Sequence, residues 1–140
     1  MAMRLALLLV LSSLIFSPVS LAEEEPTAPA AAGDSFGYYG LEPEIVTNYV
    51  TKGNRLGYIR VNIELMIKEA DTMAIVEHHA PLIRSAIIEI LGEQPEDKIK
   101  SLTGREEIRR LCFTTVNGLL EQEVGQPLLV NLLFTKFLYQ

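Results

Sequence analysis

The stretch from Leu56 to Glu69 limits the possible folds more than any other part of the sequence, because aliphatic residues occupy every second position in it. These residues are Ile59, Val61, Ile63, Leu65 and Ile67, with mostly polar residues between them. Successive side chains of a β-strand point to opposite faces, and a slip of one residue would move every aliphatic side chain into water. The pattern therefore predicts the central strand of a small antiparallel sheet whose apolar face is covered by other elements.

The first 22 residues have the layout of a secretory signal peptide. Arg4 precedes an apolar core from Leu5 to Phe16, Pro18 interrupts that core, and small residues stand just before Glu23. This layout predicts cleavage between Ala22 and Glu23 and export of the mature chain. The alternative is an uncleaved membrane anchor, although a membrane span needs about 20 predominantly apolar residues.

Residues 23–37 are rich in acidic residues, proline and alanine and show no apolar periodicity, which is typical of a flexible tether. We expect a folded domain over residues 38–140. Its first strong signal is the β-branched and aromatic run Ile45–Thr51. A turn at residues 52–54 then allows this run to form a hairpin with the long strand.

Two amphipathic helices are predicted next. The first has one apolar stripe, formed by Val76, Ala80, Ile83, Ile87 and Ile90. Asp71 is its expected N-cap, and Gly92 and Pro95 are expected to end it. Pro81 lies inside the stripe and predicts either a kink or the start of a second helical segment.

The second helix has its own start signal, because Thr103 and Glu106 have the spacing of a capping box. Its apolar face comprises Ile108, Leu111, Cys112, Val116, Leu119 and Leu120. Gly125 and Pro127 are expected to end it. The final run, Leu128 to Tyr139, is apolar on both faces and predicts a strand. The order β-β-α-α-β indicates an α+β fold, with a small, mainly antiparallel sheet and two amphipathic helices on one face.

The last strand has more apolar surface than two helices can cover. Uninterrupted alternation places Leu128, Val130, Leu132, Phe134 and Leu138 on one side. It places Leu129, Leu133, Phe137 and Tyr139 on the other. An uncovered apolar patch usually indicates a partner; the alternative is that residues 36–41 fold back over it. The expected self-assembly or partner surface joins this second side to the polar face of the central strand, and comprises Arg60, Glu64, Lys68, Leu129, Leu133, Phe137 and Tyr139.

Composition and motifs argue against most kinds of chemistry. The net charge of −6 does not favour nucleic acid, whose phosphates need clustered lysine and arginine. Cys112 is the single cysteine, and it is expected to be a buried thiol or an intermolecular link. His78 and His79 are adjacent, so on a helix they point about 100° apart and cannot grip one metal ion. We assign no catalytic, cofactor or metal residue and no small-molecule substrate, and an exported thiol- or histidine-dependent enzyme is the alternative.

Four segments, in order, resemble the FliL family of flagellar basal-body-associated proteins. They are Tyr39–Pro43 with Asn48 and the run Gly57–Val61; His79–Arg84; Leu102–Arg109; and Phe134–Gln140. The resemblance covers residues 38–140.

The resemblance implies a periplasmic domain near the inner membrane that assists the stator units of the flagellar motor. It also implies a fold related to the stomatin-type domain, and assembly into rings around the stator, without catalysis. Family members usually have a full membrane-spanning helix and often an acidic residue where this chain has Lys136. The main family protein and an auxiliary paralogue therefore both fit the sequence.

Overall fold

A computed structural model of the chain describes residues 35–53 and 55–140. The strands in these residues are β1 (Gly37–Gly40), β2 (Ile45–Tyr49), β3 (Gly57–Ile67) and β4 (Leu129–Tyr139). The helices are α1 (Met73–His78), α2 (Ala80–Gly92), α3 (Glu96–Lys100) and α4 (Leu102–Val124), and a 3₁₀ turn covers Ala70–Thr72. The fold is α+β, as the sequence predicts. It contains one strand and two short helices that the predicted order β-β-α-α-β lacks.

The strand β3 lies at the centre of the antiparallel sheet. One of its edges pairs first with β2 and then with β1, so that Ile45 lies opposite Val61 and Tyr39 lies opposite Leu65. Its other edge pairs with β4 along nearly its whole length. The five alternating aliphatic side chains of β3 are each at most 3% exposed. The prediction of a central strand with one buried face is confirmed.

The helices supply the cover for that face. The buried stripes of α2 and α4 join the aliphatic side chains of β3 in one hydrophobic cluster. Burying one such side chain stabilises the fold by about 1.5–3 kcal/mol. Leu111, which the sequence places on the buried face of α4, is instead 47% exposed. The buried stripe follows Ile108, Cys112, Val116 and Leu120, at steps of four residues.

Both predicted helix caps lie at the wrong residue. Asp71 falls inside the 3₁₀ turn, and α1 begins after Thr72 without a side-chain cap. The N-cap of α4 is Ser101, whose hydroxyl accepts a 3.0 Å hydrogen bond from the backbone N–H of Gly104. The capping-box spacing predicts Thr103, two residues later, and is wrong on this point.

Pro81 begins a helix. It stands in the first turn of α2, directly after α1 ends, where its missing N–H removes no helical hydrogen bond. Of the two outcomes expected from the sequence, a second helical segment is therefore the one observed. This helix ends at Gly92, as predicted.

Two bulges in β4 change which of its residues share a face. Lys136 lies opposite Asn62 while Phe134 lies opposite Ile63, so Thr135 is an extra residue. Val130 is extra in the same way near the start of the strand. Each extra residue shifts the alternation by one. The predicted division of β4 into two sides assumed uninterrupted alternation and is wrong for this reason.

Residues 36–41 do not cover the sheet from outside. Gly37–Gly40 forms β1 and extends the sheet at the edge of β3, and Leu41, 3% exposed, joins the core. The alternative in which this segment folds back over an apolar face is therefore not the one observed. Gly37, which the sequence assigns to the tether, is the first residue of β1.

The predictions for the amino-terminal segment lie outside the described residues. These are the signal peptide or anchor over residues 1–22, the cleavage between Ala22 and Glu23, and the tether up to residue 34. Among the described residues, none of the helices combines the length and apolar character needed to cross a bilayer.

Candidate functional site

The sheet has one face that no helix of the described residues covers, which we call the open face. Residues directly opposite each other in a sheet share a face. The open face therefore contains Arg60, Asn62, Glu64 and Met66 of β3 and the residues that pair with them. They include Tyr38, Val46, Tyr58, Leu133, Lys136 and Leu138. Val46, Tyr58 and Leu138 are 54%, 49% and 52% exposed. The open face therefore presents apolar side chains to solvent among charged ones.

A carboxylate joins two cations on the open face. Glu44 Oε1 lies 3.3 Å from Arg60 Nε, and Glu44 Oε2 lies 3.2 Å from Lys136 Nζ. Asn62 lies on β3 opposite Lys136, and its Oδ1 is buried and has no hydrogen-bond partner among the described residues. A buried acceptor without a donor is unusual in folded proteins. This part of the open face is therefore polar and incompletely satisfied.

The outer edge of β4 is blocked over its first half by side chains. Asn117 Oδ1 accepts a 3.0 Å hydrogen bond from the backbone N–H of Leu129. Farther along, Asn131 Oδ1 accepts from the N–H of Leu132 at 2.9 Å, and Arg109 Nη1 donates to the carbonyl oxygen of Leu132 at 2.9 Å. The backbone groups that a neighbouring strand would need are thus already used there.

The second half of this edge is free of such side chains in the described part of the chain. Tyr58 and Gln140 exchange both backbone hydrogen bonds, at 3.2 and 2.9 Å. In an antiparallel ladder such pairs alternate with pairs whose backbone groups point outward. Tyr139 and Phe137, opposite Ile59 and Val61, therefore direct their N–H and C=O groups away from β3. The free edge, which we define as residues 134–139, can pair with another strand.

A shallow groove lies between the free edge and the start of α4. Its floor includes Phe134 and Phe137, whose ring centroids are 5.3 Å apart, and its wall includes Leu102, which is 78% exposed. The guanidinium of Arg105 lies 5.5 Å from the centroid of Phe137, a cation–π arrangement. We call this the α4–β4 groove.

Positive charge collects beside the groove. Glu106 accepts hydrogen bonds from Arg109 at 2.7 and 2.8 Å and from Arg110 at 2.9 Å. These bonds favour the carboxylate and lower the pKa of Glu106 to about 2, with Arg109 the main cause. Arg105 makes no ion pair with the described residues, and its Nε is buried without a hydrogen-bond partner. Residues 105–110 of α4 thus carry three arginines and two glutamates, and the second glutamate, Glu107, is paired with Lys98 at 3.1 Å.

The structure separates the surface residues expected from the sequence into three groups. Arg60, Glu64 and Leu133 belong to the open face by register, and Lys68 is exposed just beyond the end of β3. Phe137 and Tyr139 lie at the free edge, on the helix-covered side of the sheet. Leu129 is 6% exposed and belongs to the core. The bulges in β4 cause this division, and no sequence signal marks them.

Other residues of these surfaces were not expected from the sequence. Arg105 lies at a polar position of a predicted helix, where a solvated side chain is the ordinary interpretation. Tyr38 and Val46 become surface residues only when the pairing of β1 and β2 is known. Which strand edges pair with each other cannot be determined from a single sequence.

Cys112 and His79 are not arranged as a catalytic thiol and its base would be. Cys112 is fully buried, and burial raises the pKa of its thiol to about 12, whereas a nucleophilic cysteine needs a lowered pKa. His79 Nδ1 lies 2.8 Å from the carbonyl oxygen of Ile75 within the same helical segment. Among residues 35–53 and 55–140, no three acidic, histidine or cysteine side chains gather as metal ligands would.

Comparisons with known proteins agree with the resemblance read from the sequence. A family profile described as "Flagellar basal body-associated protein FliL" matches residues 38–140. The chain belongs to the FliL family. It is also similar to the flagellar protein FliL of Aquifex aeolicus (strain VF5), with 28% identity over 114 residues, which are 81% of this chain and 68% of that relative.

Several residues in the segments that resemble the FliL family make contacts between elements of this fold. Arg84 Nη2 donates to the carbonyl oxygens of Leu41 and Pro43, and so joins α2 to the connection between β1 and β2. Gly104 is buried where α4 crosses the backbone of Lys98. Gly57 accommodates the ring of Tyr49. These contacts hold elements of this fold together and leave the open face and the free edge available for contacts.

Proposed function

We propose that this chain is a non-enzymatic, periplasmic accessory protein of the flagellar motor, and that it supports the stator units by oligomerising around them or docking on them. Membership of the FliL family supports a role at the flagellar basal body. The signal-like segment over residues 1–22 supports export to the periplasm.

The open face is the observation that carries this proposal. Three of its side chains, Val46, Tyr58 and Leu138, are about half exposed and lie together around Arg60 on three neighbouring strands. Contiguous apolar surface rimmed by charges is typical of a protein contact site. The charged network of Arg60, Glu44 and Lys136 would fix the orientation of the partner rather than supply most of the affinity.

Deleting the gene tests the motor role. The deletion is expected to reduce swimming in soft agar and swarming in viscous medium, and the wild-type gene is expected to restore both. Normal motility of the deletion strain in both media would overturn the proposal.

Surface variants test the docking role of the open face. Val46→Glu with Leu138→Glu places two carboxylates on the open face without touching the core. Leu111→Glu with Ile88→Glu places two carboxylates on exposed positions of α4 and α2 and is the matched control. The open-face double variant is expected to lose oligomers or co-purification with stator proteins, and the control to retain both. Equal behaviour of the two would remove the open face from the proposal.

The location of the protein needs a separate measurement. The mass of the mature chain, together with its cell fraction, decides between cleavage after Ala22 and an anchor. Release in the periplasmic fraction with Glu23 as the first residue is the expected result. An intact chain in the cytoplasmic fraction would contradict the periplasmic assignment.

A further inference from the structure

We propose that the free edge of β4 and the α4–β4 groove form a strand-addition site for an extended, acidic peptide segment of a partner protein. This inference depends on the groove residues 102–109 and on the backbone edge of residues 134–139, and not on the side chains of the open face. It therefore goes beyond the proposed function and can fail without it.

The backbone defines the form of the ligand. Phe137 and Tyr139 present two outward N–H and two outward C=O groups, separated by one residue, which matches the repeat of a strand. Before this stretch, Arg109, Asn117 and Asn131 occupy the outward groups of the edge. An added strand is thereby confined to about six residues of β4, a length suited to a short peptide.

The side chains define its chemistry. Phe134 and Phe137 share the side of β4 that faces the groove, where Leu102 forms the opposite wall. An incoming strand would place alternate side chains into this apolar groove. A side chain of the incoming strand that enters the groove removes exposed area of Leu102 from water. Aliphatic residues are therefore favoured at the alternate positions of the strand that face the groove.

Charge selects an acidic segment. Arg105 has no ion-pair partner among the described residues, and its buried Nε lacks an acceptor. The neighbouring cations Arg109 and Arg110 share the single carboxylate of Glu106. Glu107 of the same segment is paired with Lys98, so the local balance stays positive on a chain whose net charge is −6. A carboxylate on the incoming strand would satisfy the guanidinium of Arg105 with a charge-assisted hydrogen bond.

The free edge itself supplies no carboxylate for Arg105, because residues 134–139 contain one lysine and no acidic residue. Pairing of this edge with the same edge of a second copy would therefore leave the guanidinium unsatisfied, which favours an acidic segment of a partner protein as the occupant.

Binding of three blocked hexapeptides to the full-length chain tests the proposal, with backbone amide shifts in NMR as the readout. The first peptide alternates glutamate and valine, the second alternates lysine and valine, and the third is the acidic peptide with methylated nitrogens on the edge-facing residues. The acidic peptide is expected to shift the amides of Phe137 and Tyr139. The other two are expected to bind at least tenfold more weakly.

Matched arginine variants separate this site from the open face. Arg105→Gln is expected to weaken binding of the acidic peptide at least fivefold, and Arg105→Lys, which keeps the charge, less. Arg60→Gln removes the same charge from the open face and is expected to leave binding unchanged. Equal binding of the three peptides, or an equal effect of Arg60→Gln and Arg105→Gln, would overturn the proposal. So would amide shifts confined to Val46 and Tyr58, or peptide-independent dimerisation that protects the amides of Phe137 and Tyr139.

Discussion

The ring of Tyr49 lies against Gly57 so closely that a Cβ atom added to this glycine would fall 2.3 Å from Cζ of the ring. The ring is 4% exposed, and its hydroxyl donates a 3.0 Å hydrogen bond to the carbonyl oxygen of Gln140. One aromatic side chain therefore joins β2, the start of β3 and the end of β4. Its position depends on the absence of a side chain at residue 57.

We expect Gly57→Ala to destabilise the fold by about 1–3 kcal/mol, the usual cost of overpacking a core. Tyr49 cannot move aside without losing its bond to Gln140. Urea unfolding measures this change. Gly40→Ala is the control, because a Cβ atom there meets no atom within 4 Å, and its effect is expected to stay within about 0.5 kcal/mol. Equal midpoints for the two variants would contradict the packing argument.

Two glycines of α4 give a second test, because replacing them with alanine is expected to change the stability in opposite directions. A Cβ atom at Gly104 would lie 2.3 Å from the carbonyl oxygen of Lys98, whereas one at Gly118 meets no atom within 4 Å. Gly104→Ala is therefore expected to destabilise by about 1–3 kcal/mol. Gly118→Ala is expected to stabilise by up to about 1 kcal/mol, since alanine is the better helix former. Thermal unfolding measures both, and shifts of the same sign would refute this account.

The regular parts of the fold could be predicted because burial imposes a period on the sequence. The alternation of Ile59 to Ile67 revealed β3, and the steps between Val76, Ile83 and Ile87 revealed the helical stripe. The strand β1 escaped detection since Gly37–Gly40 has only four residues, two of them glycine. Helix α3 is five residues long, which is too short to show a period.

The candidate surfaces were less accessible to prediction. Their composition depends on pairing between distant segments and on bulges at Val130 and Thr135, which carry no distinct sequence signal. Leu129 was expected on the partner surface but lies in the core, because a bulge turns the strand beside it. Arg105 acquires its position over Phe137 from the packing of α4 on β4. Such long-range neighbours cannot be read from local spacing.

The arginines beside the groove lead to a prediction about pH. Glu106 is expected to titrate at about 2, far below the ordinary 4.5, and carboxyl NMR shifts report this midpoint. Because the pKa is lowered by folding, any stabilisation from the carboxylate is present above pH 4.5 and is lost as the pH falls toward 2. Arg109→Met is expected to raise the midpoint more than Arg110→Met, since Arg109 is the larger cause. The reverse order would show that the hydrogen bonds are assigned to the wrong arginine.

The buried thiol leads to the last prediction, which also separates a structural cysteine from a catalytic one. Cys112 is fully buried, so a maleimide reagent is expected to label it only after denaturation. Burial raises the pKa of the thiol from 9.0 to about 12, so between these values the unfolded chain ionises while the folded chain keeps its proton. Stability should consequently fall as the pH rises above about 9, and Cys112→Ala should lose this part of the pH dependence. The alanine variant provides the control, because its other titrating groups are those of the wild type. Two results would contradict this prediction: rapid labelling of the native protein, or the same change of unfolding free energy between pH 8 and 11 in the two proteins. Either would show that the thiol is exposed and ionisable, as a nucleophile has to be.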